Sequence, residues 1–92
     1  MIISIKSKAL ERFLVKGDVS GVNQMHVKKL RRLVSRLNVA SDLNDLSFPG
    51  SGFHPLKGEL KGYYALSVSG NWRLVFRFEK GDVIDLDYLD YH

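Results

Sequence analysis

The last third of the chain alternates apolar and polar residues with a period of two. Three such stretches follow one another, at residues 64–68, 72–78 and 84–88. A strand presents successive side chains to opposite faces of a sheet, so this alternation is typical of strands that bury one face. The segments between them are short and contain Gly, which favours hairpins. The C-terminal part of the chain is therefore predicted to form an antiparallel sheet.

The alternation also restricts how the three strands pair, because a shift of one residue moves every apolar side chain to the wrong face. Pairing Val68 with Trp72 leaves a three-residue loop, and pairing Phe78 with Ile84 leaves an odd-length connection around Gly81. The face opposite the aromatic core then carries a set of mostly polar residues: Tyr63, Ser67, Arg73, Arg77, Asp85, Asp87 and Tyr91.

Two arginines on that polar face have different expected roles. In this register Arg77 lies opposite Asp85, which predicts a cross-strand ion pair that supports the sheet. Arg73 lies opposite Leu89 and has Tyr91 as a diagonal neighbour. We therefore expect Arg73 to be the cation that is available to a ligand.

The first half of the chain has the patterns of one short strand and two helices. The β-branched run at residues 2–5 predicts an edge strand, and apolar residues recur at helical spacing over 9–14 and 27–37. Residues 38–52 are polar and rich in turn formers, which favours a surface loop. Together these patterns predict one α+β domain spanning the whole chain, with two N-terminal helices packed on a mostly antiparallel, twisted sheet of about four to five strands.

The composition restricts the class of protein. The chain has 92 residues, no Cys and a formal net charge of +4 at pH 7. Without Cys, disulfide frameworks and thiolate chemistry are excluded. No apolar run is long enough to span a membrane or to form the apolar region of a signal peptide, so we expect a cytoplasmic protein without membrane contact. The positive charge favours a polyanionic partner.

The positive charge is concentrated on the second predicted helix. Between Met25 and Asn38 there is no acidic residue, whereas acids dominate from Glu79 onwards. A solvated helix face is one interpretation of such a stretch, and a surface for nucleic acid or an acidic partner is the other, which we favour. The candidate RNA-binding residues on this helix are Lys28, Lys29, Arg31, Arg32 and Arg36.

The common motifs of metal and phosphate sites are missing. No two of His26, His54 and His92 stand four residues apart, although the last two could converge with Asp90 on a metal. The Gly50-Ser51-Gly52 segment lacks the spacing and the ending of a phosphate-binding loop, and no G-x-S-x-G motif is present. We therefore expect a site without metal or cofactor.

Six polar residues remain as candidates for a catalytic cluster, although each alone has a structural explanation such as a turn or a strand end. Cleaving RNA without a metal requires a base for the 2′-hydroxyl proton, cations for the charge on the phosphorane and an acid for the departing 5′-oxygen. Histidine suits either proton role, Lys and Arg carry charge at pH 7, and aromatic rings stack on unpaired bases. The candidates are His54, Lys57, Arg73, Asp90, Tyr91 and His92.

Four short motifs, taken in order, carry a resemblance to a known family. Each is weakly specific alone, but all four in order, with the chain stopping at Tyr-His, are a strong signal. The chain resembles the HigB-type toxins of the RelE/ParE superfamily over nearly its whole length. The motifs are His54-Pro55-Leu56-Lys57-Gly58, Gly62-Tyr63-Tyr64, Asn71-Trp72-Arg73 and Asp90-Tyr91-His92.

The resemblance implies a RelE-like fold and the activity of a type II toxin. Such a toxin enters the A site of the 70S ribosome and cuts the mRNA there, and a helix-turn-helix antitoxin of the HigA type holds it in check. The family's active site would comprise the six candidates, with Asn71 close by. The basic residues of the second helix would meet ribosomal RNA.

The resemblance also implies a role for each candidate. His54 and His92 would act as base and acid, in an order that the sequence leaves open. Lys57 and Arg73 would stabilise the phosphorane. Tyr91 would orient the phosphate or a base, and the adjacent aspartate, Asp90, would orient a neighbouring His.

Two other functions remain open at this point. An inhibitor of DNA gyrase of the ParE type would use the same scaffold, but a protein that acts by binding another protein has no need for His, Lys, Arg and Tyr gathered at one site. A small RNA- or ribosome-binding module without catalysis would bind ribosomes and leave mRNA intact.

The C-terminal triplet leads to one further structural prediction. In a regular strand Tyr91 shares a face with Arg73, whereas Asp90 and His92 point to the other side. A site that includes His92 beside Arg73 therefore requires the strand to end or twist at about Leu89 or Asp90.

Overall fold

A computed structural model describes residues 1–91 of the chain. Its elements are α1 (Lys8–Lys16), α2 (Val27–Val39), β1 (His54–Pro55), β2 (Tyr64–Ser69), β3 (Trp72–Glu79) and β4 (Asp82–Asp90). The four strands form one antiparallel sheet in the order β1-β2-β3-β4. The N-terminal residues run parallel to the free edge of β4, through bridges that join Ile2 to Val83 and Ile5 to Leu86. The predicted α+β fold is confirmed.

Helix α1 begins and ends at residues that satisfy its free backbone groups. The hydroxyl of Ser7 accepts a hydrogen bond from the Leu10 N–H at 3.1 Å, and Gly17 ends α1 in the left-handed conformation. Asn23 caps the 3₁₀ turn Gln24–His26, which leads into α2. The two predicted helices are therefore confirmed. No helix among residues 1–91 is long and apolar enough to cross a membrane.

The two faces of the sheet are covered differently. Both helices pack on one face, called the inner face below, where Leu30 and Leu33 of α2 join Leu74 and Phe76 of β3 in the main core. The opposite face, called the outer face, carries a separate small cluster to which neither helix contributes. The core therefore stabilises the sheet from one side and leaves the other side accessible.

The first hairpin confirms the predicted pairing of its strands but not of its turn. Leu66 lies opposite Leu74 and Tyr64 lies opposite Phe76, as the predicted register requires. The predicted pair of Val68 with Trp72 is wrong, because Ser69 takes that place and Val68 is the extra residue of a β-bulge. The bulge keeps Val68 buried and allows a two-residue turn in place of the predicted three-residue loop.

The second hairpin corrects the other predicted pair in the same way. Phe78 pairs with Val83 and not with Ile84, so the turn consists of Lys80-Gly81. Both turn residues have positive φ, 51° and 84°. A two-residue turn of this kind has a backbone twist that fits the right-handed twist of the two strands it joins. A bulge at Asp85, with φ 55°, takes up the extra residue and restores the predicted pairing further along.

The bulge in β4 is held by polar contacts on both sides. The backbone N–H of Asp85 donates to the hydroxyl of Ser4 at 2.9 Å, and its carboxylate accepts from the Arg77 guanidinium at 3.1 and 3.2 Å. The predicted ion pair of Arg77 with Asp85 is confirmed, although it spans a bulge and does not join opposed residues. Arg77 therefore stabilises the sheet, and its guanidinium is already paired with the Asp85 carboxylate.

Candidate active site

The outer face of the sheet has a small apolar floor. Ala65 on β2 and Val75 on β3 lie opposite each other and are buried, and Leu56, from the segment after β1, packs against them. The partly exposed side chains of Tyr63 and Tyr91 border this floor. An apolar surface edged by aromatic rings is suited to unpaired bases, which stack on such groups.

His54 lies at one side of the floor, on β1. It is opposite Ala65, so the two side chains share the outer face, and the histidine is exposed. The Nδ1 atom of His54 lies 3.0 Å from the carbonyl oxygen of Gly52. The ring is thus oriented through one nitrogen by the backbone of the preceding loop.

Arg73 lies on the same face, two residues before Val75 on β3. Its guanidinium donates to the carbonyl oxygen of Gly70 and, at 3.0 Å, to that of Trp72. None of the ion pairs among residues 1–91 includes Arg73. Two carbonyl groups therefore orient this cation, and no carboxylate of residues 1–91 forms an ion pair with it, a state in which arginine binds phosphate well.

Strand β4 ends at Asp90, which confirms the predicted end of the strand. Asp90 is exposed and lies opposite Trp72. Tyr91 follows the strand, and its N–H donates to the carbonyl oxygen of Asn71 at 2.8 Å while its side chain packs against the floor. His92 lies outside the described residues, so its part in the site stays a prediction.

Lys57 and Asn71 lie at opposite ends of this surface. Lys57 is exposed directly after Leu56, where the chain enters a 3₁₀ turn, Gly58–Leu60. Asn71 is exposed in the turn between β2 and β3. The predicted residues His54, Arg73 and Tyr91 are therefore brought to one face, with Lys57 and Asn71 at its margins.

The cations of α2 lie in a different layer of the molecule. The buried side of this helix packs on the inner face, so its charged side is separated from the floor by the sheet. Arg31 lies 5.5 Å from the ring centre of Phe13, and Arg36 lies 4.5 Å from that of Phe48. At these distances each guanidinium is in cation–π contact with an aromatic ring.

The remaining cations of α2 are grouped around a groove. Lys28, Lys29 and Arg32 line it together with Met25, and its volume is about 400 Å³. Arg32 also donates to the carbonyl oxygen of Pro49 at 3.4 Å. The predicted RNA-binding residues thus lie in two places, Asn71 in the turn between β2 and β3 and the others along α2.

A buried polar cluster connects the start of α2 with the sheet beneath the site. His26 is 4% exposed, and its Nδ1 lies 2.6 Å from the hydroxyl oxygen of Tyr88. The ring of Trp72 stacks on Tyr88 at 4.7 Å. Burial lowers the pKa of His26 and raises the pKa of Tyr88, so both are neutral at pH 7. Because Trp72 precedes Arg73, this cluster supports the strand that carries the candidate cation.

Two features of the site are not evident from the sequence. The floor residues Ala65 and Val75 stand between larger inner-face residues and show no pattern of their own. Gly52 has φ 60°, and a Cβ atom there would lie 2.3 Å from the hydroxyl of Ser67. The turn formers of the loop are visible in the sequence, but this contact with β2 arises only when the chain folds.

Two known proteins named HigB are similar in sequence to this chain over its full length. The chain is 37% identical over 92 residues to Endoribonuclease HigB from Proteus vulgaris, with all of both chains covered. It is 31% identical over 94 residues to Toxin HigB-1 from Vibrio cholerae, with 100% of this chain and 98% of that protein covered.

The fold and a family description agree with these relatives. A chain of the YoeB-YefM complex from Staphylococcus aureus matches with a TM-score of 0.65 and 22% identity, covering 100% of this chain and 95% of that chain, which is a likeness of fold. The sequence model of the HigB-like toxins, described as RelE-like toxins of the type II toxin-antitoxin system HigB, matches residues 3–92. The chain therefore belongs to the HigB-like family of RelE-like toxins of type II toxin–antitoxin systems.

Proposed function

We propose that this toxin is an endoribonuclease that acts in the cytoplasm and cuts mRNA in the A site of the 70S ribosome without a metal ion. The observation that carries the proposal is the state of Arg73, beside an apolar floor and the exposed His54. Two carbonyl groups orient this cation, and within residues 1–91 it has no ion pair with a carboxylate. A relative that is 37% identical over the full chain is named an endoribonuclease, which supports the same reaction.

The proposed reaction uses the 2′-hydroxyl of the RNA as nucleophile. A histidine takes its proton, the 2′-oxygen attacks the phosphorus, and the bond from phosphorus to the 5′-oxygen breaks as a second group donates a proton. His54 and His92 fill these two roles. Arg73 and Lys57 stabilise the negative charge that develops on the phosphorane. The products are a 2′,3′-cyclic phosphate and a free 5′-hydroxyl.

The C-terminal residues place the substrate in this proposal. Tyr91 packs against the floor and stacks on a base or contacts the phosphate. The hydrogen bond from its backbone N–H to Asn71 joins it to the turn whose Gly70 carbonyl orients Arg73. Asp90 orients a neighbouring histidine.

Two macromolecular partners belong to the proposal. The groove of Lys28, Lys29 and Arg32 on α2 binds ribosomal RNA, while the outer face on the other side of the sheet receives the mRNA. A helix-turn-helix antitoxin of the HigA type holds the toxin inactive. One structural relative was solved as a toxin–antitoxin complex, which is consistent with such a partner.

Primer extension on mRNA incubated with ribosomes and purified protein tests the activity. We expect cleavage within the codon in the A site, both with and without EDTA. Loss of cleavage in EDTA, under conditions that keep the ribosomes intact, would contradict a reaction without metal. Intact mRNA with bound protein would identify a non-catalytic binding module, and inhibited DNA supercoiling with normal translation would identify a gyrase inhibitor.

A further inference from the structure

We infer that the backbone carbonyl of Gly52 is a positioning group of the active site, which holds His54 in the tautomer that carries its proton on Nδ1. In that tautomer the lone pair of Nε2 is left for the substrate. This role rests on the proposed function and deepens it, because it assigns His54 as the base of the reaction.

The hydrogen bond of His54 determines which ring nitrogen is protonated. Its Nδ1 lies 3.0 Å from the carbonyl oxygen of Gly52. A carbonyl oxygen can only accept, so Nδ1 must be the donor. A neutral imidazole carries one proton, which leaves Nε2 as an acceptor. Free histidine favours the opposite tautomer, so this contact selects the less common form.

The loop that carries this carbonyl is fastened to β2. The Ser67 N–H donates to the carbonyl oxygen of Ser51 at 2.8 Å, and the buried hydroxyl of Ser51 accepts from the Phe53 N–H at 3.3 Å. Between them, Gly52 approaches Ser67 so closely that a Cβ atom would lie 2.3 Å from its hydroxyl oxygen and 2.8 Å from its Cβ. The position of the Gly52 carbonyl is therefore set by packing against the sheet.

The tautomer assigns a direction to the proton. Neutral His54 can take the 2′-hydroxyl proton on Nε2 and has none to give from that atom. When the O–H bond breaks and the Nε2–H bond forms, the ring becomes a cation and its Nδ1–H donates to Gly52 in a stronger, charge-assisted bond. The 5′-oxygen leaves with the electron pair of its bond to phosphorus and takes a proton from the acid, a role that falls to His92.

His26 supplies a control within the same molecule. Its Nδ1 lies 2.6 Å from the hydroxyl oxygen of Tyr88, which also accepts from the Asn23 N–H at 3.4 Å. The Tyr88 hydroxyl still has its proton to donate, and we expect it to donate to Nδ1 of His26, which leaves the ring proton on Nε2. The two histidines are expected to be opposite tautomers.

Nitrogen-15 NMR of the full chain without RNA, at a mildly alkaline pH where free histidine is neutral, tests the assignment. We expect the Nδ1–H form for His54 and the Nε2–H form for His26. An Nε2–H form or an even mixture at His54 would overturn the role of Gly52, even if the protein cleaves mRNA. An Nδ1–H form in a protein that never cleaves mRNA would confirm the tautomer and overturn the reaction assigned to it.

The variant Gly52→Ala tests whether the carbonyl position affects the reaction. The added Cβ displaces the loop from Ser67, so we expect the His54 tautomer to shift towards Nε2–H. Because a general base contributes about 10²- to 10⁴-fold, we expect kcat to fall by about tenfold or more, with little change in KM. Unchanged tautomer and unchanged kcat would contradict the proposal.

Two further variants separate positioning from backbone strain. Gly17 has φ 69° with nothing within 4 Å of its Cβ position, so Gly17→Ala carries similar strain without a clash. We expect Gly17→Ala to lower stability and to leave tautomer and kcat unchanged. Adding Ser67→Gly to Gly52→Ala removes the two atoms of Ser67 that lie closest to the new Cβ. The double variant should therefore recover part of the Nδ1–H tautomer and part of kcat. A loss in Gly17→Ala as large as that in Gly52→Ala would overturn the assignment.

Discussion

The inner and outer faces of the sheet differ most clearly in their two histidines. On the inner face His26 is buried, neutral and bonded to Tyr88, and no buried side-chain nitrogen or oxygen among residues 1–91 lacks a partner. On the outer face His54 is exposed and held through one nitrogen. The helices shield the first from water and leave the second accessible. Burial therefore makes one histidine structural and exposure makes the other available to a substrate.

The same difference separates neighbours along β3. Trp72 and Leu74 point to the inner face and pack in the main core, whereas Arg73 and Val75 point to the outer face. A strand thus carries stability and chemistry on alternate residues. Substitutions at adjacent positions should then affect different properties, which is a direct way to test the difference between the faces.

The largest effect is expected for Arg73→Ala on the outer face. Removing a group that stabilises transition-state charge costs on the order of 10²-fold or more in rate. This arginine is partly exposed and forms no ion pair in the part of the chain that the structure describes, so the free energy of unfolding should change by less than about 1 kcal/mol. Single-turnover cleavage on ribosomes and urea unfolding measure the two quantities. If the Arg73→Ala variant cleaved at the rate of the wild type, Arg73 would not be part of the active site.

The adjacent inner-face substitution, Leu74→Ala, should show the opposite result. Leu74 is fully buried in the main core, and such a truncation costs about 2–5 kcal/mol of unfolding free energy. The folded fraction should still cleave at a rate close to that of the wild type, once activity is corrected for folded protein from the unfolding curve. If Arg73→Ala lost much stability and Leu74→Ala lost none, the assignment of the core to the inner face and of the site to the outer face would be contradicted.

A smaller effect is expected for the pH dependence of stability. Burial lowers the pKa of His26 below its ordinary value of 6.5, so the unfolded chain binds a proton more readily than the folded chain. The contribution of neutral His26 to the free energy of unfolding should therefore be fully present above pH 6.5. It should decrease as the pH falls from 6.5 towards the pKa of His26 in the folded state. Unfolding curves of the wild type and of His26→Gln check this. An equal pH slope in both would contradict a buried, neutral His26.

The smallest effect concerns the groove on α2. Lys28→Ala and Lys29→Ala should weaken ribosome binding and reduce the dependence of log affinity on log salt by about one unit for each lost phosphate contact. Arg31→Ala is the matched control, because that guanidinium contacts Phe13. Binding measured over a range of salt concentrations gives the slopes. A larger change in Arg31→Ala than in the lysine variants would move the RNA surface away from the groove.

The sequence predicts the elements of this fold well and their irregularities poorly. Helical spacing and strand alternation identify α1, α2 and the three long strands, because both report burial against a core. The alternation of apolar and polar residues predicts pairing only for regular strands. It therefore does not predict the bulges at Val68 and Asp85, and both hairpin turns differ from the prediction. A bulge depends on contacts such as that of Asp85 with Ser4, which lie far apart in the sequence.

The site follows a similar rule. The family motifs contain His54, Arg73 and Tyr91, since these are side chains of recognisable type. The Gly52 carbonyl and the floor around Val75 have no such signature, because a backbone group and a small apolar residue acquire their roles only from packing. In the sequence the cations of α2 also form one set. In the structure Arg31 and Arg36 differ from the others, because each contacts an aromatic ring from another segment of the chain.

The most direct test of the outer face as the active site is a crosslinking experiment on the ribosome. An mRNA with a photoreactive base in the A site and a 2′-deoxy sugar at the cleaved position lacks the attacking hydroxyl and stays intact. Mass spectrometry of the irradiated complex should find crosslinks in β1 and at Tyr91, on the outer face. Crosslinks confined to α2, on the opposite side of the sheet, would contradict the assignment.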